Sequence, residues 1–307
     1  MIAKLLILKI LQLFAIMLIG FIIAKLNIIN VKDSVALSRI AVYLLMPSAI
    51  INAADFEQSN SLKKGLLLAF AAGIILHIML YLLDIVYGKF ICKSPVERAS
   101  VMYSNAVNII IPIVSFVMGE EWVVFSTAYL SVQMVFLWSH GIRLFKPNEK
   151  FDIKKVVLNP NVIAILIGLI LMFSGTRLPS FAKDIISPFA SLVGPFGMLI
   201  AGILADNINF KKALSYKNLY RVVIFRLVVC PILALLILKL LSLLPVIDGD
   251  KILLVSYLAS IAPSASIVVQ FSQINDSDTE YATAINLIST LACILTMPLF
   301  VMLFTNV

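Results

Sequence analysis

Ten apolar runs, each long enough to cross a bilayer, follow one another along this chain. They lie at approximately 5–25, 35–54, 65–87, 98–118, 121–143, 157–174, 186–205, 219–242, 251–272 and 281–304. A bilayer core takes about 20 residues of helix. In lipid every backbone N–H and C=O must find its partner within the protein, so such runs predict transmembrane helices. The expected fold is therefore an all-α polytopic membrane protein of ten spans. Charged residues make up 13% of the chain, against about 25% in a soluble domain. Met1–Asn27 carries Lys4 ahead of an apolar run too long for a signal peptide, with no small-x-small cleavage site, and reads as the first span.

The net charge of +8 would suggest a nucleic-acid partner in a soluble protein. Here the basic residues sit in short loops and predict orientation instead. The loops after the odd-numbered spans hold fifteen Lys and Arg, among them Lys89, Lys93, Arg143, Lys154 and Lys155. The opposite side holds seven, including Lys63, Arg177 and Lys251. The positive-inside rule places the richer side in the cytoplasm and both termini outside, in a plasma membrane. Five spans per half is an odd number, so the second half would insert upside down. The expected organisation is a first five-helix repeat at 1–145, a short cytoplasmic linker at 146–155, and an inverted repeat at 156–307. A shift of about 154 residues lays Tyr103 on Tyr257 and Asn108 on Ala262. Cys92, Cys230 and Cys293 are isolated and read as small buried hydrophobes.

Two of the apolar runs are interrupted by polar residues and proline. One reads Ser104-Asn105-Ala106-Val107-Asn108-Ile109-Ile110-Ile111-Pro112, the other Ala259-Ser260-Ile261-Ala262-Pro263-Ser264-Ala265-Ser266. Polar, broken backbone survives at bilayer depth only when buried in protein or lining a cavity. Proline lacks an N–H and favours the first turn of a new helix. On that basis Pro112 would begin the outer half of span four, and Pro263 the inner half of span nine. Two helix N-termini would then meet, each with about half a positive charge and free N–H donors. Such a pair suits a carboxylate or another small anion, with Asn105, Asn108, Ser264 and Ser266 as further polar partners. The bland alternative is a pair of proline kinks with asparagines bonding neighbouring helices.

At these residues the chain resembles the auxin efflux carrier family, which includes the plant PIN-type carriers and bacterial carboxylate carriers. Leu37-Ser-Arg-Ile-Ala-Val-Tyr-Leu-Leu-Met-Pro47, Ser104 to Pro112, Asn159-Pro160-Asn161 and Ala262-Pro263-Ser264 carry the likeness, which covers nearly the whole chain. It implies ten helices in two inverted repeats, with Asn105, Asn108 and Pro112 at the first crossover and Pro263 at the second. Where the family places glycine after the second asparagine, this chain has Ile109. The long cytoplasmic loop of plant members is reduced to about ten residues.

Ionisable residues inside spans are functional candidates by default. Asp84 in span three and Arg226 in span eight would either pair with each other, act at a gate, or snorkel to the interface. His77 is a candidate for carrying a coupling proton, against a packing histidine. Lys239 reads as a snorkelling residue. Gln133, Gln270 and Asn286 face either a cavity or a neighbouring helix. Asn52 and Asp55 read as a helix end, and Asn159 and Asn161 as a helix start.

The function these features favour is secondary transport of a small organic anion such as malate, malonate or an auxin-like acid, by alternating access. The runner-up is a sensor for a small acid built on the same fold. An enzyme would call for paired carboxylates, HExxH or a serine–histidine arrangement, and the sequence has two histidines, His77 and His140. No cofactor or metal is expected. H+ coupling, Na+ coupling and uniport all fit, as does a homodimer. The expected partners are the anion and lipid, with no nucleic acid.

Overall fold

The computed structural model describes residues 2–30, 32–55, 60–147, 158, 160–206 and 216–306. Every regular element among them is a helix. The first part runs α1 (Ile2–Lys25), α2 (Ser34–Ile40), α3 (Met46–Ala53), α4 (Asn60–Phe90), α5 (Pro95–Met102), α6 (Ala106–Met118), α7 (Glu120–Phe136) and α8 (Ile142–Phe145). The second runs α9 (Pro160–Ser174), α10 (Ser180–Ala205), α11 (Lys217–Ile224), α12 (Cys230–Leu241), α13 (Gly249–Ile261), α14 (Ser266–Ile274) and α15 (Thr279–Asn306). Six continuous helical stretches are long and apolar enough to cross a membrane: Ser34–Asn52, Lys64–Phe90, Trp122–Phe145, Ser180–Ala205, Asn218–Leu241 and Thr279–Asn306. The protein is an integral membrane protein.

Three of the long stretches contain a π-helical turn, at Ala41–Leu45, Leu137–Gly141 and Phe225–Val229. Two have a local cause. Pro47 and Pro231 stand just beyond the first and third turns and have no N–H for the carbonyl four residues back. The ladder slips by one residue, so Met46 N–H bonds Ala41 O and Cys230 N–H bonds Phe225 O. The third turn carries Arg226.

Polarity runs from outside to inside. Leu67, Ile170, Leu236 and Leu295 are exposed, while His77, Asp84, Glu97, Gln133, Arg226 and Asn286 are buried. A helical surface of this kind matches lipid, and the polar groups match a protein interior that supplies their partners. Lys239 places its ammonium over the Phe304 ring, 4.9 Å from the centroid. Asp55 is more than a helix end. It accepts from Lys183 Nζ at 2.7 Å and from the Leu178 N–H at 3.1 Å, tying the segment after α3 to α10 and its lead-in. Burial alone would raise the Asp55 pKa, but those bonds and the nearby Arg177 charge outweigh it and hold the carboxyl below its usual range.

α1 packs along α10 through glycine on both sides. A methyl placed on Gly202 would fall on the Met17 carbonyl, and one on Gly20 on the Leu199 carbonyl. Backbone is not a flexible neighbour, so the helices themselves would have to separate. Small residues permit this approach in lipid, where close packing replaces the hydrophobic drive. Gly202→Ala is expected to cost about 1–3 kcal/mol, the usual scale of overpacking. A melting temperature equal to wild type would show that the two helices separate without cost.

The two interrupted runs are broken helices, but neither proline begins the second half. The first run stops at Met102 and restarts at Ala106, so Pro112 lies inside α6. The second stops at Ile261 and restarts at Ser266, so Pro263 lies within the unwound stretch. The second halves begin at residues 106 and 266, 160 residues apart rather than 154.

Candidate functional site

The two unwound stretches cross and pair. Tyr103 has φ −96° and ψ 125° and leaves α5 in extended conformation; Ala265 approaches α14 at φ −66° and ψ 134°. Ser104 and Ser264 form an antiparallel bridge. Around it the Asn105 N–H donates to Pro263 O at 2.8 Å and the Ala265 N–H to Tyr103 O at 3.0 Å. Proline suits this place because its carbonyl is used while its missing N–H is not needed. Four helix ends converge on the crossing: the C-termini of α5 and α13, and the N-termini of α6 and α14.

Each stretch is clamped by the helix that follows its second half. On one side Gln133 of α7 accepts from the Ser104 hydroxyl at 2.7 Å and from its N–H at 3.3 Å, and donates to Ser104 O at 2.9 Å. On the other, α15 provides Asn286, donating to Ser264 O at 2.7 Å, and the Ser289 hydroxyl, accepting from the Ser264 N–H at 3.2 Å. These clamps satisfy backbone groups that an interrupted helix leaves open. Gln133 and Asn286 are thus partners of the breaks, a choice the sequence left open.

Of the predicted site residues, Asn105, Pro263, Ser264 and Ser266 come together at the crossing. Ser266 Oγ donates to Asn105 Oδ1 at 3.4 Å. Among the described residues, Asn105 Nδ2 and Ser264 Oγ are buried with no hydrogen-bond partner, as is Gln270 Oε1 one turn into α14. Unpartnered donors inside a protein carry a desolvation cost of about 1–3 kcal/mol. Here two of them stand beside two helix N-termini. Asn108 lies in the first turn of α6; its side chain and that of Pro112 are outside the described residues, as is Asn159. Asn161 donates to Val42 O at 2.9 Å, in the π-turn between α2 and α3.

Arg226 and Asp84 do not pair. Asp84 is taken by Arg98, whose Nε donates to Oδ1 at 2.9 Å, and by His140 Nε2, 3.1 Å from Oδ2. His140 Nδ1 in turn lies 2.9 Å from the Tyr103 hydroxyl, at the edge of the crossing. Arg98, His140 and Arg143 line a cavity of about 500 Å³. A second cavity of about 560 Å³ is lined by Lys32, Gln273, Glu280 and Thr283. Neither reaches the crossing, which is covered: Ser104, Asn105, Ser264 and Ser266 are all buried. His77 has Nδ1 2.7 Å from Gly73 O and its ring against Tyr129 and Phe136. Glu97 was not a sequence candidate. Tyr87, Tyr281 and Arg221 all donate to its carboxylate, joining α4, α5, α11 and α15. In sequence it reads as an ordinary acid in the first turn of a helix that opens on Pro95.

Arg226 meets carbonyls instead of a carboxylate. Nε donates to Ala262 O at 2.9 Å, Nη1 to Val101 O at 3.0 Å and Met102 O at 3.5 Å, and Nη2 to Ser260 O. These oxygens belong to the ends of α5 and α13. The side chain is fully buried. It neutralises the negative ends of both first halves, and the positive ends of α6 and α14 open on the same crossing. The arrangement is suited to hold a small anion.

Among the described residues no group of three or more His, Cys, Asp or Glu is placed to hold a metal ion. A family model described as membrane transport protein matches residues 5–301. No curated protein matches the chain.

Proposed function

We propose that this chain, which belongs to the auxin efflux carrier family of membrane transport proteins, is a secondary transporter that carries a small organic anion through the crossing of its broken helices. The observation that carries this reading is the pair of unpartnered buried donors, Asn105 Nδ2 and Ser264 Oγ, beside two helix N-termini whose opposite partners are already neutralised. Such donors favour a charged, oxygen-bearing ligand. Asn108, in the first turn of α6, would add an amide to the same ligand.

Ten spans follow if α1, α9 and the two broken helices join the six long stretches. The matching clamps, Gln133 on Ser104 and Asn286 with Ser289 on Ser264, support two related halves, each with a crossover followed by a long helix. In an inverted arrangement the halves would rock about the crossing and expose it to each side in turn. The basic bias of the loops supports a plasma-membrane protein with both termini outside.

The size of the ligand is limited by Ile109 and Ile110, which are fully buried next to the first break. That favours a compact dicarboxylate such as malate or malonate over an indole acid. Uptake of labelled malate into proteoliposomes, with malonate and an indole acid as competitors, tests this. Flux above protein-free vesicles that malonate suppresses more than the indole acid supports the reading. Correct insertion without flux for any of these acids would replace it with a sensor.

A further inference from the structure

We propose that the Arg226 guanidinium occupies the place of a coupling cation, so that transport and stability are independent of Na+. The inference rests on the crossing being the transport site. Interrupted helices in transporters expose carbonyls and half-helix C-termini that coordinate Na+. Here the ends of α5 and α13 bring Val101, Met102, Ser260 and Ala262 carbonyls to one buried point, an all-oxygen set of the kind that suits a hard cation. All four accept hydrogen bonds from Arg226. Two helix C-termini together carry about one negative charge, which one guanidinium balances.

The position of the cation is fixed by the fold. Arg226 lies in the π-helical turn Phe225–Val229, whose extra residue rotates the side chain toward the crossing. The acidic side chains on neighbouring elements are engaged elsewhere: Asp84 with Arg98 and His140, Glu97 with Arg221, Tyr87 and Tyr281. Guanidinium does not release its proton in proteins, so this cation neither dissociates nor titrates during a transport cycle. A bound Na+ would have to leave at every turnover. A tethered cation stays, and the positive helix ends are available to the anion at all times. Arg226 is therefore a positioning residue that sets the electrostatics of the crossing and the ion requirement.

The experiment is a melting curve of the purified full-length protein in Na+ or choline at equal ionic strength. Wild type is expected to melt at the same temperature in both. Arg226→Ala is expected to melt several degrees lower, and millimolar guanidinium to restore most of that loss. Tetramethylammonium, which has the charge but no donors, is expected to restore none. Saturable stabilisation of wild type by Na+ would overturn the proposal, as would equal recovery by the two organic cations or an Arg226→Ala protein as stable as wild type. Arg226→Lys keeps the charge with fewer donors. It is expected to melt between the other two and to ignore Na+; a Na+-stabilised Lys variant would also overturn the proposal. If Arg226→Ala does not fold, wild type and Arg226→Lys still decide the matter. Melting uses no substrate, so a failure of this inference shows in the melting curves, whereas a failure of the functional reading shows in malate flux, and the two are told apart.

Discussion

Asn105→Ala is expected to lower flux per inserted carrier by roughly ten- to a hundredfold, with no loss of thermal stability. A hydrogen bond to a charged group contributes about 1.5–3 kcal/mol, and each 1.4 kcal/mol is a factor of about ten. Thermal stability should move the other way. Asn105 Nδ2 has no hydrogen-bond partner among the described residues, and the Ser266 hydroxyl reaches Asn105 Oδ1 only at 3.4 Å. Removing a buried, unsatisfied donor relieves a cost, so the melting temperature should hold or rise. That opposite movement separates a ligand contact from a structural one. Asn105→Asp would make the point with charge, placing a carboxylate where the anion belongs and abolishing transport at neutral pH. Wild-type flux in Asn105→Ala would remove the crossing from the transport path.

The breaks themselves were readable because their cause is local. Asn, Ser and Pro inside an apolar run cannot be accommodated in lipid, and the chain does unwind between 102 and 106 and between 261 and 266. The detailed role of each proline was not readable. Pro112 is accommodated inside α6, whereas Pro263 serves the crossing through its carbonyl. Whether a helix stops at a proline or tolerates it depends on what neighbouring helices offer the freed backbone groups. The same limit hid the partners of the charged residues. Equivalent positions made Asp84 and Arg226 plausible partners, but Arg98 lies 14 residues from Asp84 on the adjoining helix, and carbonyls as many as 125 residues away accept from Arg226. A carbonyl carries no sequence signal, since every residue has one. The sequence likewise offered no partner for His140. Its contact with both Asp84 and Tyr103 depends on the register of α4, α5 and α7, which apolar periodicity alone does not fix.

Gln133→Ala is expected to destabilise the protein by about 2–6 kcal/mol, more than any single change in the opposite clamp. Gln133 serves three groups of Ser104: its N–H, its C=O and its hydroxyl. Its loss leaves two backbone groups buried without their partner, at about 1–3 kcal/mol each. On the α15 side the same duty is divided. Asn286 takes the Ser264 carbonyl and Ser289 the N–H, so Asn286→Ala or Ser289→Ala should each cost about half as much. The double variant Asn286→Ala/Ser289→Ala should then approach Gln133→Ala in melting temperature. Gln133→Glu is a sharper test than alanine. Its ionised carboxylate still accepts from the Ser104 N–H and hydroxyl but has no donor for the carbonyl, so it should recover only part of the loss. Full recovery by Glu would mean that the Ser104 carbonyl does not need Gln133. A single Asn286 change as damaging as Gln133→Ala would show that the two halves of the crossing are not clamped by divided and undivided versions of one device.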